Sequence, residues 1–277
     1  MTSDVLVVVG VGGMGKAIAR RQGIGKALLL ADFDEGTLRD AADALSADGH
    51  AVTARPVDVS KSDSVRALAE EADGLGVVTQ VVHTAGLSPA QAPPRAILEV
   101  DLFGVAAVLE EFGKVIARGG AGVVISSMAA YLGADLAPDQ ERDLARTPAS
   151  ALLELPFLSA DAVGDSGTAY GVAKRANHLR VKAAAVTWGE RGARVNSISP
   201  GIISTPMGHQ ELGSEVGEFM RAMVEASATG RLGTPDDIAA ATAFLLGPDA
   251  SFITGIDLLV DGGVVAAFAA DRLSVPG

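Results

Sequence analysis

Short runs of aliphatic and β-branched residues alternate with longer stretches of helical periodicity through the first half of the chain. The apolar runs predict strands over residues 5–9, 27–31, 51–57, 77–83 and 122–126, and the periodic stretches predict helices over residues 16–22, 35–47, 62–73 and 97–117. Uninterrupted apolar strands are typical of parallel sheets that are buried on both faces. Because strands and helices alternate without a long linker or an internal repeat, we predict a single α/β domain over residues 1–277, with helices on both faces of the sheet.

A glycine-rich turn follows the first predicted strand and leads into the first predicted helix. Gly10, Gly12 and Gly15 fit the pattern G-x-G-x-x-G at that point. Glycines at such a turn allow the backbone to approach a pyrophosphate, which then faces the helix N-terminus. The pattern alone also occurs in turns that bind no ligand, but here strand, glycines, helix and second strand arrive in the order that a dinucleotide site requires.

Asp32 ends the second predicted strand, about 20 residues after the first glycine. An acidic side chain there accepts hydrogen bonds from the adenosine ribose hydroxyls and repels a 2′-phosphate, so Asp32 favours NAD over NADP. The alternative is an ordinary loop or capping aspartate, since Asp34 and Glu35 follow at once as helix-start residues.

Charge and composition narrow the classes of function. The formal net charge is −12 and no run is rich in Lys or Arg, so nucleic acid and anionic membranes are poor partners. The chain has no cysteine, which excludes disulfides, thiolate catalysis and cysteine-ligated metal. Its histidines are not at helical ligand spacing, so we expect no metal site. Without a signal-like leader or an apolar stretch of membrane-spanning length, we expect a cytoplasmic protein.

Tyr170 and Lys174 are one helical turn apart, so their side chains share a helix face. A phenol holds its proton until about pH 10, and an ammonium beside it favours the phenolate and lowers its pKa. Such a pair can exchange a proton with an alcohol or a carbonyl near neutral pH. The same spacing also fits a half-buried aromatic beside a solvated charge. Tyr131, the other tyrosine, has no lysine four residues on.

Together, these motifs resemble the short-chain dehydrogenase/reductase family over nearly the whole chain. Further matches to the family's motifs are Asp58-Val59, Thr84-Ala85-Gly86, Ile125-Ser126-Ser127, the loop from Asn196 to Met207, residues 230–235 and residues 254–263. The resemblance implies a Rossmann-type three-layer αβα doubly wound sandwich around a mostly parallel sheet of about seven strands.

The resemblance also implies roles for single residues. Tyr170 would be the general acid/base, Lys174 would lower its pKa and hold the nicotinamide ribose, and Ser127 would hydrogen-bond the reacting oxygen. Ser126 is a neighbouring competitor for that last role, and Thr205 is also placed to cap a helix. The residues implied in cofactor binding are Gly10, Gly12, Gly13, Met14, Gly15, Asp32, Asp58, Val59, Ala85, Gly86, Tyr170, Lys174, Pro200, Gly201, Ile203 and Thr205.

Asp101 and His83 depart from the family's usual motifs. Asp101 stands where the family has an asparagine that holds the lysine and a proton-relaying water, and we include Asp101 in the catalytic set. A carboxylate there can serve the relay, or it can restrain Lys174 and raise the tyrosine pKa. His83-Thr84 replaces the first half of the family's Asn-Asn-Ala-Gly, and a lone histidine at a strand end is more often structural than catalytic. The glycine turn is also one residue tighter than the family's usual turn.

Residues 133–165 form an insertion between the predicted serine strand and the tyrosine helix. Pro138 and Pro148 punctuate it, and short helices are expected between them. Two interpretations of the insertion are equally compatible with the sequence. It forms a lid or wall of the substrate pocket, or it is a solvated or subunit-contact element. A similar insertion in family members that act on hydroxysteroids points weakly to bulky alicyclic substrates.

These inferences predict an NAD(H)-dependent oxidoreductase that interconverts a secondary alcohol and a ketone. Residues 129–132 and 206–220 are expected to line an apolar substrate pocket, and the family's habit predicts a homodimer or a homotetramer. The alternative from another class is a non-catalytic NAD-binding sensor or interaction protein with the same fold, which Asp101 and His83-Thr84 support. Enoyl reduction is a further alternative, but that branch of the family uses a longer Tyr-to-Lys spacing than this chain has.

Overall fold

Seven strands pair side by side in one parallel sheet. In chain order they are β1 (Asp4–Val9), β2 (Ala27–Asp32), β3 (Ala51–Pro56), β4 (Val77–His83), β5 (Ala121–Ile125), β6 (Arg194–Pro200) and β7 (Asp257–Val260). Their order across the sheet is β3-β2-β1-β4-β5-β6-β7, and every pair is parallel. The predicted Rossmann-type α/β sandwich is therefore confirmed.

The computed structural model describes residues 3–133 and 136–273. Positions 134 and 135 of the predicted insertion, and the ends of the predicted domain at 1–2 and 274–277, lie outside the described residues. Within the described part of the chain, no helix combines the length and hydrophobicity needed to span a bilayer.

Helices connect the strands and cover both faces of the sheet. They are α1 (Gly13–Gln22), α2 (Glu35–Ala47), α3 (Ser62–Leu75), α4 (Pro94–Ile97), α5 (Val105–Val115), α6 (Ala129–Leu132), α7 (Pro138–Arg146), α8 (Ala149–Leu152), α9 (Ala160–Val163), α10 (Ser166–Glu190), α11 (Pro206–Leu212), α12 (Gly217–Ala226), α13 (Pro235–Leu246) and α14 (Val264–Ala269). Residues Leu98–Gly104 form a π-helix, and Pro156–Leu158 and Pro248–Ala250 form 3₁₀ turns.

The apolar run of β1 explains why the sheet is buried on both sides. Val5, Val7 and Val9 face the core shared with α3, α5 and α10, whereas Leu6 and Val8 face the core shared with α1, α2 and α13. All five side chains are fully buried. A strand with one polar face could not occupy this central position, because alternate side chains point to opposite faces of a sheet.

The helix predicted over residues 97–117 differs from the observed segment in its first half. There, α4 passes into the π-helix Leu98–Gly104 before α5 begins. A π-helical turn carries an extra residue compared with an α-helical turn, and such turns occur often at functional sites. In this chain the π-helix contains Asp101, whose side chain is completely buried.

The insertion packs as short helices against the outer face of α5 and α10. Leu144 and Leu152 are fully buried in the same core as those two helices. The Arg180 guanidinium of α10 donates to the carbonyls of Leu144 (2.9 Å) and Thr147 (2.8 Å). Glu110 of α5 approaches the same guanidinium at 3.1 Å. The described part of the insertion is thus tied to the body of the domain along its length.

Candidate active site

A crevice lies at the carboxyl edge of the sheet, beside the central strands β1 and β4. It encloses about 670 Å³. Its walls come from the turn after β1, the end of β2, the segments after β3 and β4, and the start of α11. Doubly wound sheets bind dinucleotides at this position, where the connections of adjacent strands diverge.

The glycine turn after β1 allows close backbone contacts that side chains would block. Gly10 has φ +88°, a left-handed conformation that L side chains rarely adopt, and a Cβ there would collide with the backbone of Ala85. A Cβ on Gly15 would collide with the carbonyl oxygen of Gly10. Gly12 instead faces open space, with nothing within 4 Å of a Cβ. The turn therefore fits the close approach of a pyrophosphate at the N-terminus of α1.

Asp32 ties the end of β2 to this turn. Its Oδ2 accepts from the backbone N–H of Val11 at 2.8 Å, and its Oδ1 accepts from that of Asp34 at 3.0 Å. The N-cap of α2 is Asp34, whose Oδ1 accepts from Thr37. Asp32 is thus not the capping residue, and its carboxylate lines the crevice at the edge of β2.

The crevice collects most of the residues that the resemblance implies for cofactor binding. Its lining includes Gly10, Gly12, Gly13, Met14, Asp32, Asp58, Val59, Ala85, Gly86 and Thr205. Gly15 lies beneath the turn. The predicted residues outside this lining are Tyr170, Lys174, Pro200, Gly201 and Ile203. Gly201 and Ile203 instead line a separate cavity of about 180 Å³, because the backbone at Gly201 pairs with Val260 of β7. Thr205 lines the crevice and also caps α11, where its side chain accepts from Gly208 N–H at 3.1 Å.

Tyr170, Lys174 and Asp101 meet next to Gly86. Lys174 Nζ lies 2.9 Å from Asp101 Oδ2, and the two side chains are 5 % and 0 % exposed. The same nitrogen lies 5.2 Å from the centroid of the Tyr170 ring. The other carboxylate oxygen of Asp101 accepts from Leu87 N–H at 2.7 Å. The carboxylate at the usual asparagine position thus contacts the lysine directly.

Burial and charge act against each other in this cluster. Burial raises the pKa of Asp101, and the nearby Lys174 ammonium opposes that rise only in part. For Lys174, burial lowers the pKa, but Asp101 and Tyr170 outweigh burial, so the net pKa is raised. The lysine therefore keeps its proton at neutral pH.

The pKa of Tyr170 differs from the sequence-based expectation. Burial raises it, Lys174 lowers it as predicted, and Asp101 raises it again, so the net direction is upward. The lowering expected from Lys174 is present, but burial, the largest effect, and Asp101 together outweigh it. Of the two effects considered for Asp101, the geometry favours restraint of Lys174.

Ser126 and Ser127 have different partners. Ser126 is 4 % exposed, and its hydroxyl donates to the carbonyl of Lys174 at 2.9 Å, which ties the end of β5 to α10. Ser127 accepts from Ala129 N–H at 3.2 Å, and its hydroxyl is close enough to the Tyr170 phenol to lower the pKa of that phenol. The structure brings Ser127, and not Ser126, next to the tyrosine.

His83 is buried close to Lys174. It is 1 % exposed, and neither ring nitrogen has a hydrogen-bond partner among the described residues. Burial, followed by repulsion from Lys174, lowers its pKa to about 3. His83 is therefore uncharged near neutral pH.

Tyr131 does not point into the crevice, although residues 129–132 were expected to line a pocket. Its hydroxyl donates to Asp257 Oδ2 at 2.7 Å, at the start of β7. Asp257 also contacts His178 Nε2 at 3.1 Å and accepts from Ser197 at 2.6 Å. The phenol is thus held in a separate polar cluster of α6, α10, β6 and β7.

Two polar residues near Tyr170 were not singled out from the sequence. Ser88 is 1 % exposed, and its hydroxyl makes no hydrogen bond within the described residues. Burial raises the pKa of Glu211, on α11, while the Ser88 side chain opposes that rise, and Glu211 in turn adds to the raised pKa of Tyr170. No local pattern marks either residue, since each lies in a loop or short helix whose orientation depends on the whole fold.

Comparisons with known proteins agree with the fold described above. A family model described as Enoyl-(Acyl carrier protein) reductase matches residues 10–138 and 136–265. The short-chain dehydrogenase/reductase bsc3 of Alternaria brassicicola is 44 % identical over 99 % of this chain and 100 % of its own length. The cis-4-hydroxycyclohexanecarboxylate dehydrogenase of Sinomonas cyclohexanicum is 30 % identical over 95 % of this chain and 96 % of its own.

Among solved structures, a short-chain type dehydrogenase/reductase from Mycobacterium ulcerans has a similar fold. It is 26 % identical, with a TM-score of 0.75 over 95 % of this chain and 90 % of that one.

Proposed function

The chain belongs to the short-chain dehydrogenase/reductase family, and from that premise we propose that it interconverts a secondary alcohol and a ketone with NAD(H). The observation that carries this proposal is the meeting of Ser127, Tyr170 and Lys174 beside the dinucleotide crevice. Relatives of this chain are oxidoreductases, and one is named as a dehydrogenase of cis-4-hydroxycyclohexanecarboxylate. An alicyclic or otherwise apolar alcohol is accordingly the substrate class that we propose.

The proposed preference for NAD rests on Asp32. Its carboxylate lines the crevice at the end of β2, where a 2′-phosphate would be repelled. When bound, the nicotinamide supplies or accepts the hydride, and the protein contributes position and electrostatics. Gly12, Asp32 and Asp58 are the residues proposed to hold the dinucleotide.

The chain's own residues would manage the proton and the reacting oxygen. In alcohol oxidation, Tyr170 would accept the hydroxyl proton through its phenolate oxygen, and Ser127 would donate a hydrogen bond that orients the reacting oxygen. In ketone reduction, Tyr170 would return that proton. Lys174 would stabilise the phenolate, and Asp101 would set how strongly it does so, because the two side chains are paired at 2.9 Å.

The test is NADH formation with a panel of apolar and alicyclic alcohols, and NADH consumption with the matching ketones. The wild-type protein is compared with Tyr170→Phe and with the control Tyr131→Phe, which removes the chain's other phenol. We expect turnover in the wild type and the control, and a loss of about 10²-fold or more in Tyr170→Phe. Full activity of Tyr170→Phe would overturn the mechanism.

The sensor alternative predicts a different result in the same experiment. A non-catalytic NAD-binding protein would bind NADH, measured by fluorescence, without turning over any member of the panel. Asp101 and His83 remain its support, but a sensor has little need of a serine and a tyrosine placed together at the crevice. Enoyl reduction, suggested by the name of the matching family model, is disfavoured by the single-turn spacing of Tyr170 and Lys174.

For the insertion, the packing supports a fixed cover on α5 and α10 rather than a moving lid. Leu144 and Leu152 are buried there, and Arg180 is held by two carbonyls. We propose a homo-oligomer that assembles through surfaces other than this covered face. A dimer or a tetramer in sedimentation analysis is the expected result. Cross-links between subunits through α7 would contradict the proposal.

A further inference from the structure

An aromatic side chain lies exposed in the wall of the crevice, next to the end of β2. Phe33 follows Asp32 and lines the crevice, and 76 % of its surface is exposed. A single exposed hydrophobic residue is common on protein surfaces and by itself indicates no ligand. Phe252, for example, is fully exposed and lies outside this lining. Phe33 differs because it lies in a cavity whose glycine turn fits a dinucleotide.

Hydrogen bonds fix the backbone on both sides of Phe33. The carbonyl of Asp32 accepts from Val57 N–H at 2.9 Å, which ties the end of β2 to the segment after β3. Asp32 Oδ1 accepts from Asp34 N–H at 3.0 Å and so bridges the residues before and after the phenylalanine. Asp34 Oδ1 accepts from Thr37 N–H at 2.6 Å and caps α2. The phenyl ring is therefore carried by a held turn, so a ligand that contacts it orders little backbone.

The segment after β3 lines the neighbouring part of the crevice. Val57 and Val59 are buried there, with Asp58 between them. Asp58 Oδ1 accepts from the Ser60 N–H at 2.9 Å and from the Ser60 hydroxyl at 2.6 Å, which fixes the carboxylate. This part of the crevice thus combines an aromatic ring and aliphatic side chains with a carboxylate acceptor. An adenine has matching features, a flat apolar face and an amino group that donates.

The charged side chains of the crevice repel a dinucleotide. Its charged lining residues are Asp32, Asp34, Asp58 and Glu99, and among the described residues no lysine or arginine belongs to the lining. Lys174 lies next to Gly86 but is paired with Asp101. Because the phosphates of a dinucleotide are negatively charged, these carboxylates disfavour its binding. Its affinity then depends on the glycine turn at the N-terminus of α1 and on uncharged contacts.

We infer that Phe33 stacks on the adenine ring of the dinucleotide and supplies affinity that the charged groups of the crevice do not. Base stacking on an aromatic side chain needs no charge on the protein and tolerates the surrounding carboxylates. The inference rests on the proposed use of NAD(H). It adds a residue to those proposed above to hold the dinucleotide.

The test measures binding and needs no turnover. The ligands are NADH, followed by its fluorescence, and ADP-ribose, followed by calorimetry, because ADP-ribose has the adenine end of the dinucleotide without the nicotinamide. The variants are Phe33→Ala, Phe33→Leu and Phe33→Trp. The matched control is Phe252→Ala, which removes an exposed phenyl ring outside the crevice lining. Thermal unfolding shows that each variant is folded before its affinity is compared.

We expect Phe33→Ala to weaken the binding of NADH and ADP-ribose by the same factor, about fivefold or more. Phe33→Trp should keep the wild-type affinity to within about twofold, because an indole also stacks on a base. Phe33→Leu should keep less affinity than Phe33→Trp, since an aliphatic side chain covers the base without stacking on it. Phe252→Ala should bind both ligands as the wild type does.

Two further readouts separate stacking from a structural role. ADP-ribose should quench the added indole fluorescence of Phe33→Trp but not that of the wild type, whose Trp188 is 1 % exposed. Raising the NaCl concentration from about 0.05 M to about 0.5 M should not weaken the binding of ADP-ribose to the wild type, because salt screens the repulsion by the carboxylates.

Several results would overturn the inference. They are unchanged affinity in Phe33→Ala, a loss that affects NADH but not ADP-ribose, equal affinities of Phe33→Leu and Phe33→Trp, and the absence of indole quenching. A steep fall in affinity with salt would also contradict it, since it would reveal a cationic contact. A wild type that binds neither NADH nor ADP-ribose would instead overturn the proposed use of NAD(H), and this inference with it.

Discussion

Tyr170 and Tyr131 both lie near a largely buried aspartate, but the two phenol groups are held in different ways. Tyr131 donates directly to Asp257 at 2.7 Å, and Asp257 is also contacted by His178 and Ser197. Near Tyr170, the ammonium of Lys174 contacts Asp101 at 2.9 Å and also faces the phenol ring. One phenol therefore has its proton engaged by a carboxylate, while the other lies beside a cation.

The difference shows what makes a phenol available for proton transfer. At Tyr131, burial and the hydrogen bond to Asp257 both raise the pKa, because the carboxylate accepts from the protonated form. At Tyr170, burial also raises the pKa, but Lys174 opposes it. The two sites thus differ in whether a cation stabilises the phenolate. The substitutions below remove the cation, one of the two carboxylates or the other phenol.

The largest effect is expected from Lys174→Met. It would remove the cation beside Tyr170 and leave Asp101 buried without its partner. We expect turnover to be lost and the free energy of unfolding to fall by about 3–5 kcal/mol at neutral pH, as for other broken buried pairs. Denaturant unfolding and NADH absorbance are the measurements. The double variant Asp101→Leu with Lys174→Met should regain stability but not turnover, and equal stability of the two variants would contradict the coupling.

The next effect is a change in pH dependence on substituting Asp101→Asn. Alcohol oxidation requires the phenolate of Tyr170, so kcat/KM falls as the pH drops below the pKa of that phenol. Asp101 helps to raise this pKa, after burial. Removing its charge should therefore lower the pKa and move the acid limb of the kcat/KM profile to lower pH. A limb that moves to higher pH would show that Asp101 assists the phenolate instead.

A smaller effect is predicted in the other cluster, for Asp257→Asn. Burial would raise the pKa of Asp257, but His178, Ser197 and Tyr131 outweigh it, so the folded-state pKa lies below the unfolded value. This stabilisation is fully present above the unfolded pKa of about 4 and is lost as pH falls through the folded-state pKa.

Asp257→Asn should accordingly cost about 1–3 kcal/mol at neutral pH, and its deficit relative to the wild type should shrink in acid. Unfolding curves at a series of pH values measure this. The exposed Asp249→Asn is the control, and a deficit that stays constant down to strongly acidic pH would contradict the assignment.

The smallest effect is expected from Tyr131→Phe. It removes one partly exposed hydrogen bond to Asp257, so the free energy of unfolding should fall by about 1 kcal/mol. Turnover should stay close to the wild-type rate, because this phenol is engaged away from the crevice. If Tyr131→Phe reduced kcat as strongly as Tyr170→Phe, the contrast between the two tyrosines would fail.

Much of the fold could be predicted from local pattern. Continuous apolar runs located the first five strands to within about two residues, and the glycine turn located the crevice beside β1. The helix over residues 97–117 was predicted less well, since nothing in its periodicity distinguishes a π-helical turn from an α-helical one. Short helices in the insertion were anticipated, but their packing against α5 and α10 was not.

The sequence by itself determined where the first five strands lie along the chain, the glycine turn of the dinucleotide site, and the position of Tyr170 and Lys174 on one helix face. These features depend on residues close in sequence, where helix and strand periodicity fix the geometry. Only the tertiary structure decided which serine lies next to the phenol and that Asp101 contacts Lys174 directly. Each of these contacts joins segments far apart in the chain, so its distance is set by how the helices and loops pack on the sheet.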